Sequence, residues 1–324
     1  MSILSYILKR TLQAIPLLIM VSIISFAIIK LSPVDPLAEL RMNPSITAQT
    51  LEAEKQRLGL DLPVYQQYFK WAWSFLHGDL GISTSGEPVI NRMMERVPNT
   101  LLLAFTTIFM SWMVGIPLGI YAAMNWRKPI DRFMTLLSSL GMAIPSFFFA
   151  LLLLVFAVKT GWFPSGGLTS SNFSEMNPFM KIVDVIHHLI LPTFVLFTIS
   201  LAGLQRQMRG NLLDVLESDY IKMARAKGLS ENKVIYKHAL RNAINPMVTL
   251  LGFEFASLLS GAALTEYVFQ YPGLGRLVLE AVMKSDINLV MASLMVGSIM
   301  LVMGNLIADI VLRIVDPRIG GDNA

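Results

Sequence analysis

Tyr220-Ile-Lys-Met-Ala-Arg-Ala-Lys-Gly-Leu-Ser230, running on to Asn245-Pro246, is a polar, basic stretch set between two long apolar runs. Eight Lys or Arg residues fall between Arg206 and Arg241. Ser218-Asp219 is placed to cap a short helix over Tyr220 to Lys227, with Gly228 where a left-handed residue would end it. Ser230 is placed to cap a second helix, with Glu231 in its first turn against the helix dipole. The expectation is a helix, a glycine turn and a helix, with Ala224 and Ala226 beside Gly228 leaving a slim ridge. Two uses fit such an elbow at a membrane surface. One is docking into a groove on a soluble partner; the other is an amphipathic helix against anionic headgroups.

The flanks decide that a membrane is involved. The chain has 324 residues, 54% hydrophobic and 15% charged, with a mean hydropathy of +0.58. Soluble domains carry roughly 25% charged residues, and their cores do not need repeated apolar runs of about 20 residues. There is no cysteine, which excludes disulfides, thiol nucleophiles and cysteine-bound zinc. The pI near 9.2 fits basic cytoplasmic loops, and no basic stripe interleaves with aromatics as nucleic-acid binding would require.

Six apolar runs read as transmembrane helices of an all-α integral membrane fold. They are Thr11 to Ile29, Thr100 to Ala122, Phe133 to Val158, Leu189 to Leu204, Pro246 to Val268 and Ile287 to Leu312. The first is too long for a signal-peptide core and reads as uncleaved. The second contains Gly115-Ile-Pro-Leu-Gly119, a spacing of small residues that lets helices approach closely. The third is interrupted by Gly141 and Pro145. The fourth is the shortest and begins near Pro192. The fifth opens with Asn245 as N-cap and Pro246 at the first helical position.

Between the first two runs, residues 31–99 are mixed in polarity, with turn signals at Ser32-Pro33, Asp35-Pro36 and Asn43-Pro44. Short helices are expected over Ala48 to Leu58 and Tyr65 to Leu76. The segment is too long for a simple loop and predicts a small ordered lobe outside the membrane. The domain layout is therefore 1–30, 31–99, a five-helix core 100–312 containing the cytoplasmic loop 205–244, and a tail 313–324. Basic residues set the orientation. Fifteen lie at the N-terminus, in 123–132, in 205–244 and in the tail, against four in 159–188 and 269–286. That asymmetry places both termini in the cytoplasm.

The chain resembles the membrane permeases of ABC importers, the first-permease type of the oligopeptide/dipeptide and nickel group. Ala224-Arg225-Ala226, Gly228 and Pro246 match the family's cytoplasmic loop. Pro33-Val-Asp-Pro36, Leu58-Gly-Leu-Asp61, Gly78-Asp-Leu-Gly81, Arg96-Val-Pro-Asn-Thr100, Glu266 to Gly275 and Asp316-Pro-Arg318 follow in the family's order, so the likeness spans nearly the whole chain. Val34 and Glu254 depart from the usual residues. The resemblance implies a subunit in the cell membrane of a prokaryote that forms half of a path for di- or oligopeptides, with nickel chelates or other small solutes as the alternative cargo. It further implies a second homologous permease, two ATP-binding subunits and an extracytoplasmic substrate-binding protein as partners. Ala224, Arg225, Ala226, Lys227, Gly228 and Leu229 would couple to the ATPase. No Gly-x4-Gly-Lys-Ser/Thr occurs in the sequence, so ATP and Mg are expected on the partners, with no cofactor held here.

Glu254 and Asp309 are the acids placed inside spans, with Asn305 one turn before Asp309. Membrane-depth ionisable groups mark either a path or a polar pair. Asp309 reads as a pair with a neighbouring helix, and Glu254 fits both readings. His187-His188, at the start of the fourth run, has no carboxylate or histidine three or four residues downstream and reads as interfacial capping rather than a metal site. Ser138-Ser139 lacks a base in any span, which argues against an intramembrane hydrolase. An ATP-independent carrier or channel is the competing class, but no internal repeat supports it.

Overall fold

The computed structural model describes residues 3–31, 41, 46–57 and 59–315. The Pro33-to-Pro36 and Asp316-to-Arg318 motifs, the turn at Asn43-Pro44, Leu58 and residues 316–324 of the tail lie outside the described residues. All regular elements among those described are helical, with one isolated bridge between Ile82 and Pro88. Helix α1 is Ile3–Leu31, α2 Ala48–Arg57, α3 Val64–Leu76, α4 Val89–Met124, α5 Pro129–Ala143 and α6 Ser146–Thr160. Then come α7 Pro178–Leu216, α8 Asp219–Ala226, α9 Asn245–Gly261, α10 Ala263–Val268, α11 Leu274–Met283 and α12 Ile287–Val315.

Four of these, α1, α4, α7 and α12, are long and apolar enough to cross a membrane, and α5 with α6 is a fifth candidate bent by 93°. The bend falls at Ile144-Pro145, where proline disfavours a helical residue before it. The expected fifth span is divided: α9 stops at Gly261 and α10 follows after Ala262. The expected cap is also shifted by one residue. Ile244 precedes the helix and Asn245 already lies within it.

The fourth span differs most from expectation. It is the longest helix, 39 residues from a genuine cap in which Asn177 Oδ1 accepts from Met180 N at 2.8 Å. Pro192 sits inside it, not at its start. The helix also runs through 205–216, part of the expected loop, so the loop proper begins only at Glu217.

The central contact of the fold is α4 against α7. Gly115 and Gly119 make it: a Cβ on Gly119 would lie 2.6 Å from Met208 Cβ and 2.8 Å from Gln205 O. That close approach is what the small-residue spacing anticipates. Helix α12 packs against α9 and α1, and α5 against α7.

A candidate coupling elbow and the polar groups at membrane depth

The elbow begins where α7 ends. Ser218 precedes α8, but its hydroxyl donates back to Val215 O at 2.6 Å instead of capping. Ser230 likewise makes no side-chain cap. Gly228 has φ +77°, so the glycine turn stands as the sequence indicates, and Gly228 N donates to Arg225 O at 2.9 Å. The second limb is one helical turn, Glu231–Lys233, then a π-helical stretch, Val234–Ala239, then Leu240–Ala243.

The elbow sits on its own chain through one apolar face. Ile221, Ala224, Val234 and Ala239 are buried with Ile120 and Ala123 of α4 and Leu204, Met208 and Leu212 of α7. Leu229 packs at the edge of the same cluster. Of the six residues expected to form a docking ridge, Ala224 and Leu229 therefore face inward. Arg225, Ala226, Lys227 and Gly228 are exposed. Tyr220, Met223 and Tyr236 share that exposure and were missed, although Ile221 and Ala224 at i and i+3 would have marked the opposite face.

Charge pairs brace the turn. Arg225 grips Glu231 through Nη2–Oε1 at 2.6 Å and Nε–Oε2 at 3.1 Å, across Gly228. The Arg225 hydrogen bonds hold the Glu231 carboxyl below the ordinary carboxylate range. Asn242 Nδ2 donates to Tyr220 Oη at 2.7 Å, tying the two limbs. Behind the elbow, Arg209 of α7 clasps buried Asp131 of α5 at 2.6 and 2.8 Å, so the base of the elbow is fixed to the bent pair as well.

Glu254 of α9 accepts from Trp112 Nε1 of α4 and from Ser200 Oγ of α7, each at 2.5 Å. One carboxylate thus joins three helices. Asp309 of α12 pairs with Arg10 of α1 at 3.2 Å. Asn305 lies where α9 and α12 touch: a Cβ on Gly252 would come within 2.7 Å of its Oδ1. These three residues do not converge on one site with the elbow. Among the described residues no group of three His, Asp or Glu side chains is arranged to hold a metal.

Two family models match the chain. Residues 115–321 match the binding-protein-dependent transport system inner membrane component, and residues 3–104 the N-terminal part of such membrane components. The chain belongs to this family. It is a permease subunit of an ABC importer, with the ATPase on separate subunits. It is 44% identical over 97% of its length to the oligopeptide transport system permease protein AppB of Bacillus subtilis, covering 99% of that protein. It is 36% identical to the glutathione transport system permease protein GsiC of Escherichia coli, over 98% of this chain and 99% of that one. In fold it is similar to a chain of the inward-facing MetNI methionine ABC transporter, with a TM-score of 0.56 and 17% identity, covering 69% of this chain and 96% of that one.

Two motifs of this permease, far apart in sequence, meet in space. Glu266 of α10 is a second acid inside the expected fifth span, missed beside Glu254, and it is fully buried. Its Oε1 accepts from Thr100 Oγ1 and its Oε2 from Arg276 N, both at 2.9 Å. Thr100 Oγ1 in turn accepts from Leu274 N at 2.7 Å. The first N–H groups of α11, which no helix can satisfy internally, are thus met by a carboxylate and a hydroxyl from two other helices. Asn99 completes the junction, donating to Pro272 O at 2.8 Å and accepting at its own carbonyl from Tyr271 Oη at 2.8 Å. A Cβ on Gly273 would overlap the Glu266 carboxylate.

The histidines are placed otherwise than expected. Both lie in the third turn of α7, not at its start. His188 is buried, with Nδ1 at 2.8 Å from Asp184 O and 3.6 Å from Asp184 Oδ1. The carboxylate is four residues upstream, on the same helix face. His187 Nε2 lies 3.0 Å from Trp162 O. Ser138 donates to Gln205 Oε1 at 2.6 Å and serves helix packing.

Proposed function

We propose that this permease forms half of an importer's path for peptides, and that its elbow transmits the ATPase stroke. The likeness to an oligopeptide permease over nearly the full length of both chains carries the substrate class. The exposed edge Arg225 to Gly228, with Met223 and Tyr220, supports docking to an ATP-binding subunit, because its opposite face is already committed to α4 and α7. A second homologous permease, two ATP-binding subunits holding ATP and Mg, and an extracytoplasmic binding protein complete the assembly. Six crossings are proposed, counting the bent pair α5–α6 and the divided pair α9–α10 as one each. The basic residues favour cytoplasmic termini and an outer lobe between α1 and α4.

Gentle detergent purification of the chain from its native membrane tests the assembly. We expect a homologous permease and Walker-containing subunits to copurify, with ATPase activity stimulated by the binding protein loaded with peptide. A lone homo-oligomer without ATPase activity would instead mean an ATP-independent carrier.

Glu254 is assigned to helix tying, since both oxygens already accept hydrogen bonds from neighbouring helices. Glu254→Gln is expected to lower stability by about 1 kcal/mol, the scale of intramembrane hydrogen bonds. Uptake of free-amine and N-acetylated peptides should change in parallel. A loss confined to free-amine peptides would move Glu254 into the substrate path.

A further inference from the structure

We propose that α3 is an interfacial anchor, with the face formed by Tyr65, Phe69, Trp73 and Leu76 bedded in the headgroup–acyl boundary of the phospholipid bilayer. The sequence reading places the whole of 31–99 outside the membrane, and this helix departs from it. The proposal rests on the orientation given above only for the choice of leaflet.

The helix shows three stripes. Tyr68, Trp71 and Phe75 face the protein: Phe26 of α1 lies 5.5 Å from Tyr68 and 6.4 Å from Trp71, ring to ring, and Phe75 packs against the cluster around Leu80, Val89 and Met93. Tyr65, Phe69, Trp73 and Leu76 fall within 80° of one another at about 100° per residue. They are 62%, 66%, 67% and 78% exposed. Gln66, Lys70 and His77 follow on the next stripe round, giving a narrow polar edge. Four large, mostly exposed apolar side chains in a row form a contiguous patch, and such patches mark interaction surfaces. A wide apolar face, a thin polar edge and Trp and Tyr on the apolar side are the composition of a helix lying in a membrane interface.

Depth points the same way. Tyr68 Oη and Ser22 Oγ share a hydrogen bond of 2.8 Å, and Ser22 lies nine residues before the end of α1 at Leu31. At 1.5 Å per residue that is about 14 Å along the helix. Phe26 is about 8 Å from the same end. Helix α1 has 29 residues, about 44 Å, enough to cross the hydrocarbon core and both headgroup layers. Helix α3 is therefore attached level with the boundary, not beyond it. Ile24, Ile28 and Leu31 of α1 are also exposed, on the side of that helix turned away from Ser22 and Phe26.

This chain contains no cysteine, so once any cysteines of its partners are removed a label reports one chosen position. Single variants Phe69→Cys, Trp73→Cys and, on the polar edge, Gln66→Cys are labelled with an environment-sensitive fluorophore in the assembled transporter. The transporter is reconstituted in phosphatidylcholine/phosphatidylglycerol vesicles with and without lipids carrying a nitroxide near the headgroup. The expected result is lipid quenching at 69 and 73 at least about twofold stronger than at 66, with aqueous iodide showing the reverse order. Weak lipid quenching at both 69 and 73 overturns the proposal. Iodide protection gained only with the binding protein would then make the patch that protein's docking surface, and shielding from both quenchers would make it an interface with the second permease. Applying iodide to one side of oriented vesicles reads the leaflet separately. Quenching at 66 from the cytoplasmic side alone would reverse the orientation and leave the lipid contact standing.

Discussion

Replacing Gly228 by valine or glutamate is expected to reduce peptide uptake by more than about tenfold, equivalent to about 1.4 kcal/mol of lost coupling, while the chain reaches the membrane in normal amounts. Two causes combine. With φ at +77°, a β-branched or bulky side chain strains the turn by about 1–2 kcal/mol. Beyond its two chain neighbours, no atom of the described residues lies within 4 Å of a Cβ at Gly228, so steric conflict is expected with a partner. Gly228→Asn separates the causes, because asparagine tolerates left-handed backbone yet adds bulk at the exposed edge. Uptake retained in the asparagine variant assigns the valine effect to the turn; uptake lost assigns it to the groove on the ATPase. Parallel ATPase assays should show hydrolysis no longer driving transport. Normal uptake in the valine and glutamate variants would remove the elbow from the coupling route.

Glu266→Ala is expected to destabilise the permease by about 2–6 kcal/mol, at about 1–3 kcal/mol for each of the two donors left unsatisfied. It leaves the Thr100 hydroxyl without its acceptor and Arg276 N without a partner, each buried or half-buried at the junction of α4, α10 and α11. Glu266→Gln keeps the volume but offers one acceptor where two donors converge, so a smaller loss of about 1–3 kcal/mol is expected. Gly273→Ala should act on the same junction by pushing the carboxylate aside. Thermal unfolding of the purified permease in detergent checks all three. If Glu266→Ala unfolds at the wild-type temperature, the junction is not what holds α11 in place.

The apolar runs revealed most of the membrane helices because a run of about 20 apolar residues has few other uses. The fourth was underestimated for the same reason. Its last twelve residues, from Gln205 to Leu216, carry charges and amides, and hydropathy registers contact with lipid, not the continuation of a helix beyond it. Gly228 was legible because a left-handed turn after a short helix favours glycine whatever surrounds it. Which face of the elbow points outward was harder to see, since eight residues give only two inward positions, Ile221 and Ala224. The Glu266 junction was not legible as a unit. Arg96 to Thr100 and Glu266 to Gly275 each stood out as motifs, but nothing local to either states that Thr100 and Glu266, 166 positions apart, share a hydrogen bond. Asp184 and His188 had the helical spacing in plain view, upstream of the histidine.

The unbroken run of α7, 39 residues from the Asn177 cap to the elbow, makes it a lever about 58 Å long. A tilt of about 5° about its midpoint swings the two ends by about 2–3 Å in opposite senses. Pro192 offers no N–H to the His188 carbonyl one turn earlier, so the helix can flex at that level without breaking a hydrogen bond it already has. Moving as one body, α7 would carry a pull on the elbow to its far end reversed in sign; bending at Pro192, it would leave the far end behind.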